Sequence, residues 1–262
     1  MYHTAIVTGG GSGIGLGIAY ALARRGVDVA LVGRRFDRLE SAARRLEKLG
    51  VKAIPLQADL AFSADRQSVV ERARSALGPV DLLVNNAGIM AGGDLSTLTA
   101  AEIEAAVAVN LLAPIELTRQ ALPDLAAHGG GVVLVGSSVS LVPVPSAAVY
   151  SATKAGVRAL GESLRYELEP LGVRLLVVYP PATDTAMIAG MAEAAGLPPF
   201  RQAKPAKVGE QVVRALLKGR KELLCSSGDR AMAAAYTVAP GVVRAAFRSQ
   251  RALFARMMRA GR

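Results

Sequence analysis

The sequence predicts an α/β fold built on a doubly wound parallel sheet of about seven strands. Three observations predict it. Short apolar runs alternate with longer helical patterns along most of the chain. Several of the runs are apolar throughout, as strands buried on both faces must be. A glycine-rich turn, TGGGSGIG, joins the first run to the first helical pattern.

The expected strands are Thr4–Val7, Val27–Val32, Lys52–Leu56, Val80–Val84, Gly131–Val135, Val173–Val178 and Glu222–Cys225. The expected helices are Ile14–Arg25, Arg35–Leu49, Ala64–Leu77, Ala100–Ala127, Val149–Glu169 and Ala206–Lys218. Gly26, Gly50, Gly78, Gly129–Gly131 and Gly172 fall at helix-to-strand joints, where a helix often ends in a left-handed residue. After the sixth strand the chain reads VYPPATDT, and Pro180-Pro181 stops it abruptly. No repeat or linker divides the sequence. One domain is expected over 1–228, with a substrate lid near 184–205 and a basic helical extension over 229–262.

Composition narrows the function. Of 262 residues, 52% are apolar and 20% charged, which excludes a disordered chain and supports a large core. The single cysteine, Cys225, permits no internal disulfide and fits a reducing, cytoplasmic setting. The opening MYHTAIVTGG lacks a signal-peptide pattern, and no apolar run approaches the roughly 18 residues of a membrane span. The net charge is +10, much of it from Arg244, Arg248, Arg251, Arg256, Arg259 and Arg262, and no Asp or Glu follows Asp229. Without a zinc-finger spacing or an aromatic stacking motif, this surplus does not point to nucleic acid.

The turn Gly9, Gly11, Ser12, Gly13, Ile14, Gly15 is a candidate phosphate cradle. Gly13 and Gly15 let the backbone approach a pyrophosphate, and the following helix offers unpaired N–H groups and a favourable dipole. The spacing is T-G-x-x-x-G-x-G. The second strand ends in Gly33-Arg34-Arg35, with no carboxylate to receive a ribose hydroxyl. Two guanidiniums there favour the 2′-phosphate of NADP(H) over NAD.

Further motifs follow in order: Asp59-Leu60, NNAG at Asn85–Gly88, Asn110 in VNLLAP, GSS at Gly136–Ser138 and YSATK at Tyr150–Lys154. Together with the glycine turn they make the stretch from Thr4 to about Thr185 resemble the classical short-chain dehydrogenase/reductase family. The resemblance implies a Rossmann-type fold and a catalytic set of Asn110, Ser137, Tyr150 and Lys154. Ser137 is chosen over Ser138 because the family's serine lies thirteen residues before its tyrosine. The resemblance places Asp59 and Leu60 beside the adenine ring, and Asn86, Ala87 and Gly88 along the cofactor. It adds Pro180, Thr183 and Thr185 near the nicotinamide, although Pro181 stands where relatives usually have glycine. It also implies a dimer or tetramer paired through the helices at Ala100–Ala127 and Val149–Glu169. Asn85, His3 and His128 are read as structural.

Tyr150 and Lys154, four residues apart on a helix, share a face. An ammonium beside a phenol lowers the phenol's pKa from about 10 and equips it for acid–base work at a carbonyl. The cofactor carries the hydride while the protein manages the proton.

The substrate side should be apolar, contributed by Ile89, Met90, Leu141, Val142, Val144, Met187, Ile188, Met191, Leu197 and Phe200. Arg201, Lys204 and Lys207 stand at its entrance. From about Val242, Val243, Phe247, Phe254 and Met258 share one helical face and Arg244, Arg248, Arg251 and Arg259 another. Such a helix either docks on the domain or makes a peripheral contact with an anionic membrane. The expected function is an NADP(H)-dependent carbonyl reductase or alcohol dehydrogenase acting on a lipophilic ketone. YPPATDT resembles the matching stretch of a 3-ketosphinganine (3-dehydrosphinganine) reductase-like subgroup. A 3-oxoacyl thioester on a carrier protein is the rival substrate, and a non-catalytic NADP sensor the rival of another class.

Overall fold

The computed structural model describes residues 2–183, 193 and 202–260. Its strands are β1 (Thr4–Thr8), β2 (Asp28–Gly33), β3 (Ala53–Gln57), β4 (Leu82–Asn85), β5 (Gly131–Val135), β6 (Arg174–Tyr179) and β7 (Glu222–Leu224). They form one parallel sheet in the order β3-β2-β1-β4-β5-β6-β7. The helices are α1 (Gly13–Ala23), α2 (Phe36–Glu47), α3 (Ser63–Leu77), α4 (Ala100–Val107), α5 (Ala113–His128), α6 (Ala148–Leu168), α7 (Pro205–Leu217), α8 (Ser227–Val238), α9 (Pro240–Ser249) and α10 (Arg251–Ala260).

Two apolar layers explain why the strands are apolar throughout. Ala5 and Val7 of β1 pack with Ile18, Leu22, Leu39, Leu46 and Val212 from α1, α2 and α7. Ile6, between them, packs with Val69, Leu117, Leu125 and Val157 from α3, α5 and α6. After β3 the chain returns to the other side of β1, so the ends of β1 and β4 diverge into a crevice.

Helices α1 and α7 cross backbone to backbone. A Cβ at Gly209 would strike the backbone of Gly17, and one at Gly17 would strike the carbonyl of Pro205. Glycine is required here for proximity.

The expected helix Ala100–Ala127 divides. Thr99 caps α4, with its backbone N–H donating to Glu102 Oε2 at 2.8 Å. A π turn at Ala108–Leu112 then separates α4 from α5. Pro114 supplies a reason: it has no N–H to give the Asn110 carbonyl, so a regular helix cannot keep its bonding pattern through this point.

The basic stretch expected from about Val242 forms two helices, α9 and α10, broken at Gln250 and preceded by α8. Its apolar side is turned inward. Val243 and Met258 are buried, Phe254 is half-buried, and the Phe247 and Phe254 rings meet edge to face at 5.3 Å. Arg259 pairs with Asp94 at 3.2 Å. Cys225, just past β7, is half-buried, and burial, helped by Asp229, pushes its thiol up to about 12. Among the described residues no helix is long and apolar enough to cross a membrane. Asp184, Thr185, Met187, Ile188, Met191, Leu197, Phe200 and Arg201 lie outside the described residues, as does most of the expected lid.

Replacing Gly209 with Val should force α1 and α7 apart. Overpacking of this kind typically costs about 1–3 kcal/mol, and thermal melting should register a clear fall in Tm.

Candidate active site

At the carboxyl end of β1 the chain turns through Gly9, whose φ is +65°, and enters α1 at Gly13, whose φ is +55°. Both values lie in the left-handed region that glycine occupies without strain. Thr8 fastens this turn to the end of β4. Its hydroxyl oxygen accepts from the N–H groups of Asn86 and Ala87, each at 2.9 Å, and donates to the Val84 carbonyl at 3.2 Å. The Asn86 amide returns a bond to the Thr8 carbonyl at 2.8 Å. A Cβ at Gly9 or Gly15 would collide with that amide. The side chain of Asn86 is therefore committed to the scaffold. Asn85 is structural too, donating to Thr118 Oγ1 at 3.2 Å.

A groove of about 180 Å³ opens beside the turn, bordered by Gly9, Gly11, Ser12, Ala87 and Gly88. Leu39, Leu60 and Val109 give it apolar walls, and Asp59 lies at its edge. Arg34, Arg35 and Arg38 also line it, and none of the three has an ion-pair partner among the described residues. Gly13, Ile14 and Gly15 shape the turn from behind rather than bordering the groove. Buried Arg66 holds the Asp59-Leu60 loop, donating to the Leu60 and Ala61 carbonyls at 2.9 and 3.0 Å while pairing with Glu116 at 2.7 Å.

Across the switch point stand the remaining candidates. Ser137 follows β5, and its hydroxyl hydrogen-bonds the Tyr150 side chain. Lys154 Nζ sits 5.9 Å from the centroid of the Tyr150 ring and donates to the Val135 carbonyl at 3.0 Å. Asn110, fully buried in the π turn, clamps the strand-four loop. Its Oδ1 accepts from Ile89 N at 2.8 Å, and its Nδ2 donates to the Ile89 carbonyl at 2.9 Å and to Thr153 Oγ1 at 3.1 Å. Thr153 Oγ1 donates to the Tyr150 carbonyl at 2.9 Å. A Cβ on Gly88 would come within 3.3 Å of both Asn110 Oδ1 and Lys154 Nζ, so glycine lets the loop close over the pair.

Thr183 is buried, donates to the Pro181 carbonyl at 2.8 Å and bridges Ala203, so its side chain braces the turn after Pro180.

The short chain dehydrogenase family model matches residues 3–195.

The chain belongs to this family.

It is 36% identical over 178 residues to "Ketoacyl reductase HetN" of Nostoc sp., covering 68% of this chain and 62% of that protein. It is 31% identical over 229 residues to the 3-ketodihydrosphingosine reductase of Mus musculus, covering 82% of this chain and 68% of that protein. Matches of this kind span only about three fifths to two thirds of these relatives' own length. Among solved structures, a short-chain dehydrogenase from Sphingobium yanoikuyae in complex with NADPH is 31% identical with a TM-score of 0.78, covering 94% of this chain and 95% of that one. A Burkholderia cenocepacia short chain dehydrogenase in complex with NADP is 32% identical with a TM-score of 0.75, covering 87% and 98%.

In this chain the electrostatics of the tyrosine differ from the expectation. Burial pushes the Tyr150 phenol up, and the Ser137 hydrogen bond offsets only part of that rise. Lys154 turns its ammonium to the Val135 carbonyl. Burial also brings Lys154 down from 10.5 to about 8. Sequence reading missed Arg38 as a groove residue; it stands in the first turn of α2, just after Arg34 and Arg35. It also missed Thr8, whose role is visible only once β1 and β4 are neighbours.

Lys154 has a lowered pKa, so the unfolded chain binds more protons than the folded one between pH 8 and 10.5. Its contribution to stability therefore rises with pH across that window. Chemical denaturation should show wild type gaining on Lys154→Met by up to roughly 3 kcal/mol from the low to the high end.

Proposed function

We propose that the protein is an NADP(H)-dependent oxidoreductase that interconverts a carbonyl and a secondary alcohol on a lipophilic substrate. The convergence of Ser137, Tyr150 and Lys154 beside a glycine-lined groove carries this reading. The groove fits the cofactor chemically. Its turn brings bare backbone to a pyrophosphate, Leu39 and Leu60 offer apolar faces, and Arg34, Arg35 and Arg38 provide charge for a 2′-phosphate. The NADPH and NADP in the related structures support the same choice. Pro180, Thr183 and Thr185 complete the cofactor site in this reading.

When bound, the cofactor supplies or accepts the hydride. The chain's own residues handle the oxygen. In the reducing direction Tyr150 gives its proton to the carbonyl oxygen while the Ser137 hydroxyl holds that oxygen. A phenol kept protonated by burial suits a donor. Lys154, at about 8, still carries charge at pH 7 and supports the phenolate left behind. Asn110 positions the Ile89 loop and connects to Tyr150 through Thr153.

The apolar side of Tyr150 is built by Met90, Val144, Ala147, Phe254, Met257 and Met258. This wall supports a lipophilic ketone of the 3-ketosphinganine type, in line with the mouse relative. A 3-oxoacyl thioester is the second reading, favoured by the Nostoc relative. In a panel of long-chain ketones and 3-oxoacyl thioesters, absorbance should fall with NADPH and little with NADH. Tyr150→Phe should cut kcat by about 10²–10⁴-fold and leave NADPH binding intact by fluorescence. Unchanged turnover in that variant would remove the proton-donor role.

We also infer a homo-oligomer. Val107, Leu112 and Ile115, along α4, the π turn and α5, are 37–40% exposed, and Tyr166 on α6 is 83% exposed. Ile115→Glu should reduce the mass measured by light scattering to that of a smaller assembly. A wild type that already runs as a monomer would end the inference.

A further inference from the structure

Near Tyr150, but outside the groove, lies a cleft of about 370 Å³ lined by Pro143, Pro145, Arg244, Phe247, Arg248 and Arg251. Its floor is apolar and its rim carries three guanidiniums. Arg244 lies over the Tyr236 ring at 5.6 Å and donates to its hydroxyl. Arg248 and Arg251 have no ion-pair partner among the described residues. Arg251 does feel Asp94, but that carboxylate is already held by Arg259 and by the Ser146 hydroxyl. No acidic residue follows Asp229 in the sequence. Arg244 and Arg248, one helical turn apart, repel each other. An anion in the cleft relieves that repulsion.

The cleft also connects to the reactive tyrosine. Pro143 and Pro145 flank Val144, which packs in one cluster with Tyr150, Phe254 and Met258. Phe247 on the cleft floor touches the Phe254 ring of that cluster. Apolar side chains thus run without interruption from the arginines to Tyr150.

We propose that Arg244, Arg248 and Arg251 form a subsite for the anionic end, carboxylate or phosphate, of an amphiphilic substrate whose apolar chain follows Phe247 and Phe254 toward Tyr150. This deepens, and rests on, the carbonyl-reductase reading. Of the substrates considered above, it favours a ketone that carries an acidic group over one of the 3-ketosphinganine type, whose protonated amine the arginines would repel.

The test compares a long-chain keto acid with its methyl ester. Arg248→Glu with Arg251→Glu should lower the ratio of their kcat/KM values at least tenfold, chiefly through KM of the acid. Lys218→Glu with Arg220→Glu, an equal charge change on the exposed turn after α7, should leave the ratio as in wild type. An unchanged ratio in the double variant overturns the subsite. Binding of sodium laurate and of dodecyl phosphate by calorimetry, with methyl laurate as the neutral control, decides the matter without turnover. Tight binding of one or both anions, weakened at least tenfold by the double variant, supports the subsite and tells carboxylate from phosphate. Anion binding that is absent, or equal in the two proteins, overturns it even if the reductase reading stands. A wild type that binds laurate but reduces no ketone would instead sink the reductase reading alone. If the double variant loses sedimentation with anionic phospholipid vesicles but keeps its affinity for both soluble anions, the arginines serve a lipid surface and the subsite is refuted.

Discussion

The hydrogen bonds between Thr8 and the start of the strand-four loop hold the site together. Two N–H groups converge on one hydroxyl, and one amide returns to the Thr8 carbonyl. A parallel sheet brings its loops to one end but does not fix how far apart two neighbouring loops stand. Here the distance is set by a single threonine and a single asparagine. On one side of that clasp the glycine turn keeps its left-handed shape and borders the groove. On the other, the loop continues to Gly88 and Ile89, where Asn110 receives it. Groove and tyrosine are therefore parts of one rigid unit, as a reaction between two bound groups requires.

Local stability is given up on the reactive side. Burying the ammonium of Lys154 is unfavourable, and its lowered pKa measures that penalty. A single carbonyl, Val135, is its recorded protein partner. Ser146, in the neighbouring loop, is the one described non-glycine residue with positive φ, at 54°. Its carbonyl accepts from the Gly93 N–H and its hydroxyl donates to Asp94 Oδ1, so the strained residue joins two loops of the site. Strain and desolvation gather where the chain is held by many contacts, which is where a fold can sustain them.

Much of this architecture was legible because the signals were redundant. Strands buried on both faces are apolar at every position, and each of the seven was located within one or two residues at its ends. The family resemblance singled out Ser137, Tyr150 and Lys154, and the fold brings the three side chains together. The split of the long helix was not read, although Asn110 and Pro114 are both poor residues for a helix interior. Periodicity survives a π turn, so it cannot report one. The orientation of Lys154 was hidden for another reason: its partner is a backbone carbonyl, and every residue has one. The C-terminal helices were legible as amphipathic, but the pattern of an apolar face is the same whether protein or lipid covers it. Only the fold brings Met258 to Tyr150, more than a hundred residues away in the chain.

The half-buried Cys225 gives the molecule an internal clock. A thiol held near 12 is almost wholly undissociated at neutral pH, and the undissociated form is a poor nucleophile. It is the only sulfhydryl in the sequence. It sits at the end of a three-residue edge strand, tied to β6 through the Tyr179 carbonyl. Alkylation at this atom is therefore slow in the native protein, and its rate reports how firmly the last strand is held, with no background from a second cysteine.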